Sequence, residues 1–174
     1  MDQITGDAAV AMWQGALNDR IERIPPLQQE QIDELLNAPG WECVIGWIDR
    51  YGYTLTSTMG YVMVDGKLCM SCAKTRVKLR RLREDPRCSV TVSNHAGSVE
   101  AIMAVTLVGR ARVTDDDTLR RQVHELVNAK MYAADDPATD AALEVLNSMD
   151  RVVNILDEVE RIYSVNGPAM AGID

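Results

Sequence analysis

The dipeptide Asp65-Gly66, set between two alternating runs, constrains this chain more than any other feature. Residues 53–64 place Leu55, Ser57, Met59, Tyr61 and Met63 on one side and Thr54, Thr56 and Thr58 on the other, the period of a half-buried strand. Asp-Gly favours a two-residue hairpin turn, and residues 67–72 return as the partner strand. Upstream, residues 41–48 are rich in β-formers and end at the turn Asp49-Arg50-Tyr51-Gly52. Strands joined by turns this short run antiparallel, because parallel neighbours need crossovers of a dozen residues or more. An open parallel sheet is therefore disfavoured.

The remaining chain supplies more strands and several helices. Residues 87–94 alternate Cys88, Val90 and Val92 against Ser89, Thr91 and Ser93; residues 101–113 are almost continuously apolar; residues 151–156 and 161–165 are two further strand-like runs. Helical spacing appears over residues 7–24, through Val10, Trp13, Leu17, Ile21 and Ile24, and over 27–36, with Pro25-Pro26 between them. A basic helix over 76–84 stops at Asp85-Pro86. Asp115-Asp116-Asp117 opens a helix with Leu119, Val123, Leu126, Val127 and Lys130 on one side, and 141–149 is a second helical piece. About six short strands with flanking helices predict an α+β fold built on an antiparallel barrel. The expected division is a helical extension over 1–39 and a barrel domain over 40–174 with a helical insertion at about 115–149.

At 174 residues, 47% apolar and 25% charged, the chain matches one ordinary globular domain. Its 18 basic and 26 acidic residues give a net charge of −8, which argues against nucleic acid, where affinity rests on neutralising phosphates. The longest apolar stretch, 101–109, is about half a bilayer span. No basic segment precedes an apolar one at the N-terminus, so no membrane partner and a cytoplasmic location are expected. Cys69 and Cys72 have CxxC spacing, but they end a strand-like run and no second ligand pair completes a zinc site. With Cys43 and Cys88 they are read as buried structural thiols, and no metal is expected.

One cluster runs against the acidic total: seven of the 18 basic residues fall within residues 74–87. A short loop followed by a helix that opens with Thr75, Arg76 and Lys78 brings backbone amides, a hydroxyl and two cations to one point, a combination suited to a phosphate monoester. The plainer reading is a solvated basic face. The neighbouring stripe of Thr54, Thr56 and Thr58 adds polar groups that could meet the edge of a planar ring.

The order of motifs is also recognisable. Leu27-Gln28-Gln29-Glu30 precedes the first strand; Gly52, Thr54-Leu55-Thr56-Ser57-Thr58 and Asp65-Gly66-Lys67-Leu68 follow; then come Ser71-Cys72-Ala73-Lys74-Thr75-Arg76 and the stretch from Lys78 to Asp85-Pro86-Arg87. Val105 to Ala111 resembles a long strand with a G-x-A pattern. Over roughly residues 27–163 the chain resembles the pyridoxamine 5′-phosphate oxidase-like family of FMN-binding split barrels, the flavin and deazaflavin oxidoreductases. The resemblance implies a six-stranded antiparallel split β-barrel with flanking helices, dimeric, with flavin sites at the interface. It implies that Lys78, with Arg76 or Lys74, holds the cofactor phosphate beside Thr75. Thr56, Ser57 and Thr58 would line the isoalloxazine, and Ser71, Cys72 and Ala73 the ribityl chain. Ser93 and the region of Glu100 would reach across the dimer. Thr54, Thr58 and Gly60 depart from the prolines and aromatic that many relatives carry, and Arg81 stands where asparagine is frequent.

The function so implied is hydride or electron transfer between FMN and a small organic substrate, with the chemistry supplied by the cofactor and no catalytic side chain assigned. The alternatives are a reductase of the same fold using the deazaflavin coenzyme F420, and a non-catalytic flavin- or haem-binding regulatory protein. His95 and His124 are read as surface residues, Tyr61 and Tyr163 as packing residues, and Trp13, Trp41 and Trp47 as buried area.

Overall fold

The computed structural model describes residues 24–40, 42–98, 101–133 and 135–171. The expected helix over 7–24, with Trp13, and the positions of Trp41 and Glu100 lie outside the described residues. The elements are α1 (Gln29–Asn37), β1 (Glu42–Ile48), β2 (Thr54–Gly60), β3 (Val62–Val64), β4 (Lys67–Ala73), α2 (Val77–Glu84), β5 (Arg87–Ser93), β6 (Met103–Thr114), α3 (Asp117–Met131), α4 (Ala138–Ser148), β7 (Arg151–Asn166) and α5 (Gly167–Ala171). The fold is α+β, with one antiparallel sheet and flanking helices.

The strand order is β2-β1-β5-β6-β7-β4-β3. Laid flat, seven strands would hold the two edges about 29 Å apart, six spacings of ~4.8 Å. Yet the edge strands β2 and β3 are consecutive in the chain, joined by Tyr61 alone. The sheet therefore curls until its edges approach, forming a half-barrel.

Among the described residues the sheet has seven strands rather than the expected six. The run 53–64 is not one strand: residues 54–60 pair with β1, whereas 62–64 pair with β4. The break falls at Tyr61, whose buried ring turns inward and whose hydroxyl donates to Leu36 O at 3.0 Å. A second difference lies near the C-terminus. The runs 151–156 and 161–165 are one 16-residue strand, β7, which continues past its acidic middle through two register shifts against β6. One shift lies at Val108/Gly109. A Cβ at Gly109 would stand 1.8 Å from Glu158 O, so only a glycine admits this approach. The Asp65-Gly66 turn is as its sequence indicates, with φ of 49° and 74°, the positive pair of a type I′ hairpin.

Ile45, Trp47, Met70, Leu82, Val90 and Val105 pack inside the curl together with the apolar face of α1. Val123 and Val127 of α3 cover the outside of β3, β4 and β7 against Val62, Cys69, Val153 and Ile155. A third cluster, Cys72, Leu79 and Val152, seats α2 on the ends of β4 and β7. Lys130 ties α3 to the end of α1: its Nζ donates to Ala38 O and Gly40 O at 3.0 and 3.1 Å and sits 4.6 Å from the Tyr61 ring centre. Among the described residues no helix is long and apolar enough to cross a membrane.

Candidate cofactor site

A cavity of about 680 Å³ opens where β1, β2, the end of β4, the start of α2 and the start of β7 converge. Helix α2 forms because Leu79 and Leu82 fall on one face and anchor it to the sheet. That anchoring turns Lys78 toward β2, where it is only 9% exposed. Its Nζ donates to Ser57 Oγ at 2.8 Å, contacts Met59 Sδ, and lies 5.9 Å from the Trp47 ring. Burial holds this ammonium below the usual lysine range, and the nearby Arg76 and Arg151 push the same way. Arg76 is the N-cap of α2 and gives the first turn no side-chain cap, and Thr75, Arg76, Val77 and Lys78 at this helix start line the cavity. Three cations thus line one cavity, and among the described residues no carboxylate does.

Behind the cavity lies a hydrogen-bond chain. Arg151 donates from Nε to Ser71 Oγ and from Nη2 to Ser71 O, both at 2.8 Å. Ser71 Oγ lies 2.7 Å from His124 Nε2, and His124 Nδ1 lies 2.9 Å from Asn147 Oδ1. His124 is fully buried, which corrects its reading as a surface residue. The buried stripe of α3 is Val123, His124, Val127 and Asn128, rotated from the expected one, and Leu126 is left exposed.

Burial lowers the pKa of His124, and the charges of Arg151 and Arg120 lower it further, against the raising effect of its hydrogen bond to Asn147 Oδ1. The fold therefore favours the neutral imidazole. A base whose folded pKa is depressed contributes stability that is present above its unfolded value, roughly 6.5, and is lost as pH falls. Urea unfolding at pH 5 and pH 7 should show a drop in midpoint at pH 5 that is smaller in His124→Gln. An equal drop in both proteins would sink this assignment.

A model of the pyridoxamine 5′-phosphate oxidase family matches residues 29–166, most of the chain. The chain belongs to the pyridoxamine 5′-phosphate oxidase family. Its half-barrel is similar to that of the conserved protein Rv2991 from Mycobacterium tuberculosis, with TM-score 0.72, 18% identity, and coverage of 86% of this chain and 91% of that one. An FAD-binding protein from Mesorhizobium loti superposes with TM-score 0.59, 17% identity and coverage of 80% and 95%. An F420 reductase superposes with TM-score 0.55, 16% identity and coverage of 75% and 94%. At these identities the likeness is one of fold. No curated protein sequence matches the chain.

In this member of the pyridoxamine 5′-phosphate oxidase family, the cavity gathers Ser57 and Thr58 from β2, Ser71, Cys72 and Ala73 from β4, and Thr75, Arg76 and Lys78 around the start of α2. Thr56, Lys74 and Ser93 do not line it. Lys74 pairs with Asp150 at 2.7 Å. Thr56 and Ser93 lie on the outer face of the sheet, and Ser93 Oγ accepts from His95 N. Five lining residues lie outside the expected set: Trp47, Met59, Gly60, Val77 and Arg151. Arg151 reaches the cavity through the β4–β7 register, which sets it opposite Ala73.

The four cysteines are free and buried. Burial raises Cys43 and Cys88 to about 12 and Cys69 to about 11. Three residues apart on a strand, Cys69 and Cys72 point to opposite faces, and they pack in different clusters.

Proposed function

We propose that this cavity binds FMN by its phosphate and that the protein transfers hydride or electrons between the flavin and a small organic substrate. The observation that carries the reading is the convergence of Arg76, Lys78 and Arg151 on a cavity lined by no carboxylate among the described residues. A buried cation without a counter-ion is costly, and a bound anion removes that cost. The volume of about 680 Å³ falls within the range of roughly 300–1,000 Å³ usual for small-molecule sites.

In this reading Lys78, Arg76, the Thr75 hydroxyl and the amides that open α2 hold the phosphate. Ser57 and Thr58 line the ring, while Trp47 and Met59 keep that side of the cavity dry. When bound, the flavin supplies the redox chemistry, and the chain supplies position and charge. The F420 reductase among the similar structures keeps coenzyme F420 as the alternative ligand.

The outer face of the sheet supports a homodimer. Thr58, Val44, Thr91, Thr106 and Tyr163 form one lateral row across five strands. Val44, Tyr163 and Val165 are exposed apolar or aromatic side chains on that face, and a second copy would cover them. In this reading Thr56 and Ser93 meet the flavin through the dimer.

Titration of the purified protein with FMN and, in parallel, coenzyme F420 tests the assignment. Binding of one ligand in the micromolar range, weakened at least tenfold in Lys78→Ala (about 1.4 kcal/mol), is the expected result. Binding of neither ligand would overturn the redox reading.

A further inference from the structure

We propose that Arg151 is a third anion-binding side chain of the cavity, held in place by the Ser71–His124–Asn147 chain, and that it selects a ligand with a doubly charged phosphate over the same ligand without one. The inference rests on the cavity being the ligand site proposed above, and it gives Arg151 a role and the site a preference which that reading does not assign.

The directions of the hydrogen bonds carry the argument. A guanidinium only donates, so Ser71 Oγ accepts from Arg151 Nε at 2.8 Å. In a neutral imidazole whose Nδ1 proton faces the Asn147 oxygen, Nε2 is the acceptor and takes the Ser71 hydroxyl hydrogen at 2.7 Å. The ring proton sits on Nδ1 and goes to Asn147 Oδ1 at 2.9 Å. Every proton in the chain has one place, and the insertion helices α3 and α4 fix the pose of a β7 side chain.

That pose leaves Arg151 only partly used. Nε and Nη2 are committed to Ser71, whereas Nη1 meets only the thioether of Met149 at 3.8 Å, a weak acceptor. Among the described residues no carboxylate pairs with Arg151, although it is partly buried and close enough to Arg76 to feel its charge. A charged fork with free donors, fixed at a cavity wall beside Lys78 and Arg76, is arranged for an anion of more than one charge.

The test compares FMN, riboflavin and inorganic pyrophosphate on the wild-type protein and on Arg151→Met and Arg151→Lys, with binding read by fluorescence and by thermal shift. The expected result is at least a tenfold loss of FMN affinity in Arg151→Met with riboflavin affinity changed less than twofold, and partial recovery in Arg151→Lys. An equal loss for FMN and riboflavin would mean that Arg151 only supports the fold, and the inference fails. Unchanged FMN affinity would also defeat it, while leaving the flavin reading intact. Pyrophosphate that stabilises the wild type but not Arg151→Met, in a protein that binds neither flavin, would keep the anion anchor and remove the flavin reading. No binding of any of the three to the wild type would overturn both.

Discussion

Replacing Gly109 with alanine is expected to lower the unfolding free energy by about 3 kcal/mol or more, at the upper end of overpacking costs. The added Cβ would stand 1.8 Å from Glu158 O and 2.9 Å from Glu158 C, and both are backbone atoms. No rotamer change relieves such a clash; β7 must move away from β6 along the register that carries the curl. Gly46 provides the contrast. Its nearest neighbour would be Ser89 Oγ at 2.9 Å, the free end of a small side chain, so Gly46→Ala should cost far less. Urea titrations of the two variants measure the difference as a shift in midpoint at unchanged slope. A loss under about 1 kcal/mol in Gly109→Ala would show that β7 slides freely at the bulge.

Leu79→Ala should have a comparable effect from the opposite cause, a void. Leu79 is fully buried and packs with Cys72 and Val152, the small cluster that seats α2 on the sheet. Truncating a buried leucine costs about 2–5 kcal/mol, depending on how far the surroundings collapse. Because Arg76 and Lys78 precede it in the same turn, the same change should loosen the cation-bearing end of α2 and, on the proposed reading, weaken ligand binding along with stability. Val77→Ala is the control, since Val77 is largely exposed, and exposed changes usually stay within about 0.5 kcal/mol. If the two variants unfolded at the same denaturant concentration, the proposed seat of α2 would be wrong.

Local chemistry made much of the molecule legible before its structure. The positive φ pair at Asp65 and Gly66, the basic helix stopped before Asp85-Pro86 and the alternation of β5 are each decided within a few residues, and each reads directly from the chain. Thr75, Arg76 and Lys78 are legible for the same reason, as a cation-bearing helix start, whereas Ser57, Ser71, Cys72 and Ala73 enter only through the family resemblance. What was not legible depends on partners distant in sequence. Tyr61 breaks a run that alternates without interruption because its hydroxyl finds Leu36 across the barrel end. The run 157–160 looks like a turn, yet it continues as strand because β6 is long enough to pair with all of it. Arg151 follows a helix in an unremarkable context and enters the cavity only through its register with Ala73. His124 is polar beside an apolar stripe, and the Ser71 hydroxyl on the facing strand and the Asn147 amide explain why it turns inward.

The convergence of three cations also bears on how long the protein survives in a cell. With the cavity empty, Arg76, Lys78 and Arg151 repel one another at the end of α2, next to the small cluster that holds that helix. On the proposed reading, an anion that fills the cavity would turn the repulsion into attraction, and occupancy and folding would become one equilibrium. A ligand at a hundred times its Kd adds about 2.7 kcal/mol to the native state, a sizeable share of the usual margin of 5–15 kcal/mol. The supply of that ligand would then set how much of the protein escapes proteolysis, and abundance itself would report on its availability.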